Sequence, residues 1–179
     1  MKIENIKFRG KSKRTGEWLY GDLEYSRKNG IARIHSYNDE GEYIGQQEVD
    51  KETIGQFTGL FDTNGKEIYE GDIVRYYRLD TRCINPDCDY FLHIHESFLK
   101  KIEGVVSYED GMFLCEDYTP LIWCGVSDLQ EIRSDLDVTE EGGWIDVNGT
   151  TIDESVLGID VIGNIHDSFG WKHLNCTTL

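Results

Sequence analysis

Residues 56–74, QFTGLFDTNGKEIYEGDIV, decide the fold class. Phe57, Leu60 and Phe61 give an apolar entry, and Asp62-Thr63-Asn64-Gly65 a turn in which Asn-Gly tolerates positive φ. Ile68-Tyr69 follows. Glu70-Gly71-Asp72 then repeats the turn chemistry and starts the β-branched, aromatic run Ile73–Tyr77. The pattern is strand, turn, strand, turn, strand. No residue type in it is catalytic.

Outward from this stretch the composition agrees. The chain has 179 residues, 39% apolar and 12% aromatic, enough for a packed core. Nineteen glycines against two prolines suit many short strands joined by tight turns. No apolar run approaches the roughly 18 residues that would span a bilayer, and the N-terminus has no apolar segment after its lysines, so no membrane or signal sequence is expected. The expected compartment is the cytoplasm, where the five cysteines stay reduced; their odd number argues against a complete disulfide framework.

Charge is the unusual bulk property, at −16. Residues 1–33 carry nine Lys/Arg against four Asp/Glu, whereas 103–167 carry sixteen acids and only Arg133. A surface of that sign repels phosphates and removes most non-specific affinity for nucleic acid. It serves solubility, or faces a basic partner.

In chain order, strands are expected at 3–9, 18–25 and 31–35, then at Tyr43-Ile44 after the Asn38–Gly41 turn. A helical turn is expected over 49–55, capped by Asp50 and stopped by Gly55. Further strands are expected at 68–77, 102–108, 111–116, 121–126 and 160–166, with a Gly-terminated turn at Glu109-Asp110-Gly111. Ser127 and Gln130 form a capping-box pair for a brief helix, and 144–152 reads as a small hairpin about Asn148-Gly149. The expected core is Phe57, Leu60, Ile68, Ile73, Val105, Phe113, Ile162 and Ile165. The fold class is all-β: a small SH3-like barrel core with an N-terminal β-hairpin region and minor helical turns. Residues 1–55 are expected to form the hairpin region and 56–179 the barrel-like part, together one unit.

Several of these pieces resemble the YopX family of phage and prophage proteins. They are Ile6-Lys7-Phe8-Arg9, Ile54–Leu60, Asp62–Val74, Gly104-Val105-Val106 and Val161-Ile162-Gly163-Asn164-Ile165-His166. The resemblance implies an all-β protein of mobile elements with no established activity, and brings no catalytic residues with it. Residues 80–99 and 134–157 depart from the family's compactness and read as insertions.

The first insertion holds the one metal-like constellation, Cys83, Cys88, His93 and His95. A Cys-x4-Cys spacing suits structural zinc, and two histidines two apart on a strand share a face. The His-x-His spacing is tighter than usual, and a hairpin would have to join the halves; the alternative is reduced cysteines and exposed histidines in a loop. No other cofactor is expected. A basic cluster, Lys11, Lys13, Arg14, Arg27 and Lys28, lies near Trp18 and Tyr20 and would suit nucleic acid, or a solvated loop. No nucleophile–base pairing, phosphate-binding glycine pattern or His-Glu-x-x-His is present. The expectation is a non-enzymatic interaction or regulatory protein with a protein partner from host or phage. The alternatives are a nucleic-acid module using the basic hairpin, an acidic mimic of nucleic acid, and self-association into an oligomer.

Overall fold

A computed structural model describes residues 6–83, 95–115, 119–125 and 157–167, with short strands at 137–138, 144–145 and 151–152. The protein is all-β: the described residues form antiparallel strands and two short 3-10 turns.

The N-terminal half is one six-stranded sheet. Strands β1 (Phe8–Lys11), β2 (Trp18–Ser26), β3 (Ile31–Tyr37) and β4 (Tyr43–Glu48) form a meander. A 3-10 turn at Lys51–Thr53 follows, its first turn capped by Asp50, whose side chain accepts from the Glu52 amide, as the sequence led us to expect. The chain then returns to the far side of β1 as β5 (Gly55–Phe61), with β6 (Glu67–Tyr69) beyond it. The expected division at residue 55 therefore falls where β5 starts, and the sheet runs across it. One face buries Ala32, Ile34 and Val49 against Phe8, Leu19, Leu23 and Ile54. Alternate residues of β3 point inward, which is the period of two expected of a half-buried strand.

The second half holds β7 (Asp72–Cys83) and β8 (His95–Val105), a long hairpin, with β15 (Ile159–Asn164) on the other side of β7. Strands β9 (Ser107–Glu109), β10 (Met112–Cys115) and β11 (Thr119–Pro120) make a small separate sheet. The β9–β10 reversal uses Asp110 and Gly111, both at positive φ, as a tight hairpin turn requires. Strands β12 (Asp137–Val138), β13 (Trp144–Ile145) and β14 (Thr151–Ile152) pair with one another, which includes the hairpin expected at 144–152.

Three expectations are corrected. Among the described residues no sheet closes, so the strands expected in a single barrel are divided: β6 belongs to the first sheet, β7, β8 and β15 to the second, β9 and β10 to the third. The turn at Glu70-Gly71 makes this division, since the hydrogen-bonded run is broken between β6 and β7. Residues 121–123 form a 3-10 turn rather than a strand, entered from Pro120, which has no amide to donate to a ladder. In the core, Phe57, Ile68 and Ile73 are buried, but Ile162 and Ile165 are exposed and Val106 is buried in place of Val105. A bulge between Val161 and Gly163 and the break between β8 and β9 shift the inward-facing positions. The expected helix at 127–133 lies outside the described residues.

The main core comprises Ile68, Val74, Tyr76, Ile102, Val106, Cys115, Leu121, Cys124 and Ile159, with Leu60, Phe113 and Val161 packed on it. A buried polar hub ties the sheets together. Arg9 of β1 pairs with Asp72 of β7 at 2.8 Å, the two side chains 4% and 1% exposed. The guanidinium lies between the Trp18 and Tyr69 rings, 4.7 and 4.8 Å from their centres, and donates to the Glu70 carbonyl at 3.0 Å. Asp72 also accepts from the Tyr69 amide at 2.8 Å, and Asn164 Nδ2 donates to the Gly71 carbonyl at 2.8 Å. Gly71, at φ 82°, donates to the Val106 carbonyl at 2.8 Å.

Candidate binding groove

Between β5 and the small third sheet lies an apolar groove of about 240 Å³. Thr58 and Leu60 come from β5, Met112 and Phe113 from β10, and Pro120 to Trp123 from the end of β11 and its 3-10 turn. Each placement has a local cause. Thr58 turns its hydroxyl to the Ile68 carbonyl at 2.8 Å and so presents its methyl. Phe113 packs with its ring tilted against Tyr108, its cross-strand partner, at 5.0 Å between centres, which holds the ring over the core. A 3-10 turn has three residues per revolution, so Leu121, Ile122 and Trp123 must point in three directions. Leu121 takes the core, and Ile122 and Trp123 are left 71% and 72% exposed. Glu109 is the cross-strand partner of Met112, an exposed residue of the groove lining, and Asp110 follows it in the turn.

Beneath the groove lie the buried Cys115 and Cys124, both members of the main core. The Cys124 thiol donates to the Pro120 carbonyl at 3.6 Å. A hydrogen bond from Cys115, with a smaller contribution from Tyr76, lowers its pKa to about 7 against the opposing effect of burial. The Tyr76 hydroxyl is buried with no partner in hydrogen-bonding geometry, so its effect on Cys124 is that of a close dipole.

The basic residues expected to bind nucleic acid fall into two groups. Lys11 pairs with Asp167 at 2.9 Å, Lys13 pairs with Glu48 at 2.6 Å, and Arg14 reaches Gln47 at 3.5 Å, all at the β1–β2 loop. Arg27 and Lys28 occupy the β2–β3 turn, at the other end of the nine-residue β2, about 25–30 Å away at the usual strand rise. Trp18 and Tyr20 are engaged by the hub: Trp18 covers Arg9 and donates to Asp167 at 3.1 Å, and Tyr20 packs on Tyr69 at 5.6 Å.

Of the metal-like residues, Cys83 ends β7 and His95 opens β8, and the two are register partners. The hairpin such a site would require is thus present. Cys88 and His93 lie outside the described residues. Among the described residues, no three His, Cys, Asp or Glu side chains gather where a metal could be held.

The groove residues were not legible beforehand. Ile122 and Trp123 sit in an apolar run that suits a buried strand equally well. The one available signal was Pro120, which starts a 3-10 turn more readily than it continues a sheet.

Fold and groove together define an all-β protein of open antiparallel sheets with an apolar surface groove beside an acidic turn. Residues 7–169 match the family described as YopX protein, and the chain belongs to that family. No curated protein matches it. The stretches that carried the resemblance supply the hub: Arg9 from the first, Tyr69 to Asp72 from the third, Val106 from the fourth and Asn164 from the last. Among the described residues no helix is long and apolar enough to cross a membrane.

Proposed function

We propose that this protein is a non-enzymatic interaction module whose groove takes an extended segment of a partner protein, one bearing large apolar side chains flanked by Lys or Arg. The observation that carries this is the outward projection of Ile122 and Trp123 at the rim of an apolar groove. Covering either side chain is worth about 1.5–3 kcal/mol, the scale of a binding hot spot. The basic flanks follow from charge. Glu109 and Asp110 stand beside the groove, and the chain as a whole carries −16. The same charge disfavours a second copy of this chain as the occupant. Nucleic acid is disfavoured too, since the basic side chains of the N-terminal loop are paired and those of the β2–β3 turn stand apart from them. Membership of the family is in keeping with a partner from the host cell or the phage.

The test is selection from a random peptide library on the full chain, beside Trp123→Ala and Ile122→Ser variants. Wild type should enrich sequences with one or two large apolar residues next to Lys or Arg, and the variants should lose them. Equal enrichment on the variants would overturn the proposal. So would self-association that rises with concentration and is lost in the variants, because the groove would then belong to a second copy.

A further inference from the structure

We propose that the occupant of the apolar groove is a proline-rich segment in the polyproline II conformation, seated against Phe113, Pro120 and Trp123 with a Lys or Arg beyond one end. This rests on the reading of the groove as the partner site and adds the backbone form of the partner to it. The walls come from strands that already have neighbours on both sides: β5 lies between β1 and β6, and β10 between β9 and β11. β11 ends the small sheet, but it holds only Thr119 and Pro120, and Pro120 has no amide to offer. Where the β5–β6 ladder is interrupted, between Phe57 and Phe61, the Thr58 hydroxyl donates to the Ile68 carbonyl and accepts from the Leu60 amide at 3.2 Å. The Pro120 carbonyl accepts from the Cys124 thiol, and the Cys124 amide closes the 3-10 turn on the Leu121 carbonyl at 3.1 Å. The lining that is left is almost wholly apolar.

A partner backbone can be satisfied in three ways, and the groove favours one of them. A β-strand needs a row of unpaired amides and carbonyls beside it, and these walls present side chains instead. A helix pairs its own backbone, but at about 10–12 Å across it is too wide for a groove of about 240 Å³ and would reach in with single side chains only. A polyproline II segment has no internal hydrogen bonds and keeps its carbonyls in water, and each proline removes an amide that a dry groove would strand. It also arrives already extended, so little freedom is lost on binding. The lining suits it. The rings of Phe113, Pro120 and Trp123 are apolar surfaces on which prolyl rings pack, the mode of aromatic-lined grooves that take such segments. Trp123, exposed at the rim, adds an indole N–H, a donor for one of the carbonyls that polyproline II leaves unpaired. Glu109 and Asp110, in the turn that leads to Met112, favour a basic residue at that end.

The experiment measures fluorescence anisotropy of labelled synthetic peptides on the full chain. One peptide carries Leu-Pro-Pro repeats with a terminal Arg. Its counterpart has every Pro replaced by Ala, which keeps the Leu anchors and the Arg but restores the amides and favours helix. The proline peptide should bind wild type at least about tenfold more tightly than the alanine peptide. Trp123→Ala should weaken it by about tenfold or more, and Trp123→Phe by less, since an aromatic ring remains. Ile122→Ser reads the same surface a second time, and both side chains are exposed, so the fold is kept. Equal or tighter binding of the alanine peptide, still weakened by Trp123→Ala, would overturn the inference and leave the groove as the partner site, filled by a helix or a strand. Absence of binding by the proline peptide would overturn it as well. Binding of the proline peptide that Trp123→Ala leaves unchanged would overturn both this inference and the groove as the site.

Discussion

Asp72 is the acceptor on which the buried polar hub converges. It takes a charge from Arg9, an amide from Tyr69 and an amide proton from Asn164. A buried pair of this kind adds modest net stability, but removing one partner strands the other. Asp72→Asn should therefore cost about 3–5 kcal/mol in chemical denaturation, and adding Arg9→Met should restore part of it. A cost below about 1 kcal/mol would mean that the guanidinium escapes to water when unpaired. A second residue sets a pH dependence. His166 packs edge-on against Trp18, and its imidazole pKa is lowered by burial and by the nearby Lys11 and Arg9, against the smaller opposing pull of Asp50 and Asp167. The folded state thus binds fewer protons than the unfolded chain. This contribution is complete above the ordinary value near 6.5 and is lost as pH falls through the lower folded value. The melting temperature should drop from pH 7 toward pH 5, and His166→Gln should flatten that slope. The carboxylates held low, Glu103 by Lys101 and Arg75 and Asp167 by Lys11 and Trp18, act only in a more acidic window.

The element on which the architecture turns is the reversal between β6 and β7. Gly71 adopts φ 82° there, and a side chain would meet only ordinary contacts, so Gly71→Ala should cost about 1–2 kcal/mol from the backbone alone. Gly55, which starts β5, differs. A Cβ on it would sit 2.4 Å from the Glu70 carbonyl oxygen, a backbone atom with no flexible tip to yield. Gly55→Ala should be the more damaging of the two in thermal denaturation, although its φ is unexceptional. Sequence reasoning found both turns but gave Gly55 only the role of stopping a helix, because the close approach of residues 55 and 70 is a tertiary fact. On β10, Phe113 faces the groove and is only half-buried, so the 3–5 kcal/mol typical of a fully buried Phe→Ala does not apply. A loss of about 2 kcal/mol in denaturation is the expected outcome.

At the scale of the molecule, charge decides how binding should respond to conditions. Acids near the groove attract basic flanks over a Debye length of about 8–10 Å. Affinity for a selected peptide should fall as salt rises from low to moderate concentration, and Glu109→Gln with Asp110→Asn should make the fall shallower. Identical salt curves would assign the acidic excess to solubility and leave the apolar anchors as the whole of recognition.

The sequence by itself determined the all-β class, the turns at Asn64-Gly65, Glu70-Gly71 and Asp110-Gly111, the Asp50 cap and the family. These follow from local chemistry: positive φ favours Gly, Asn or Asp, and a period of two marks a strand. Only the tertiary structure decided which strands share a sheet, that Arg9 and Asp72 meet across 63 positions of chain, and that Ile122 and Trp123 face outward. Such facts depend on what packs against an element. An apolar run has the same composition whether a core or water lies beside it. One bulge, as at Val161–Gly163, is enough to carry Ile162 from the expected core to the surface.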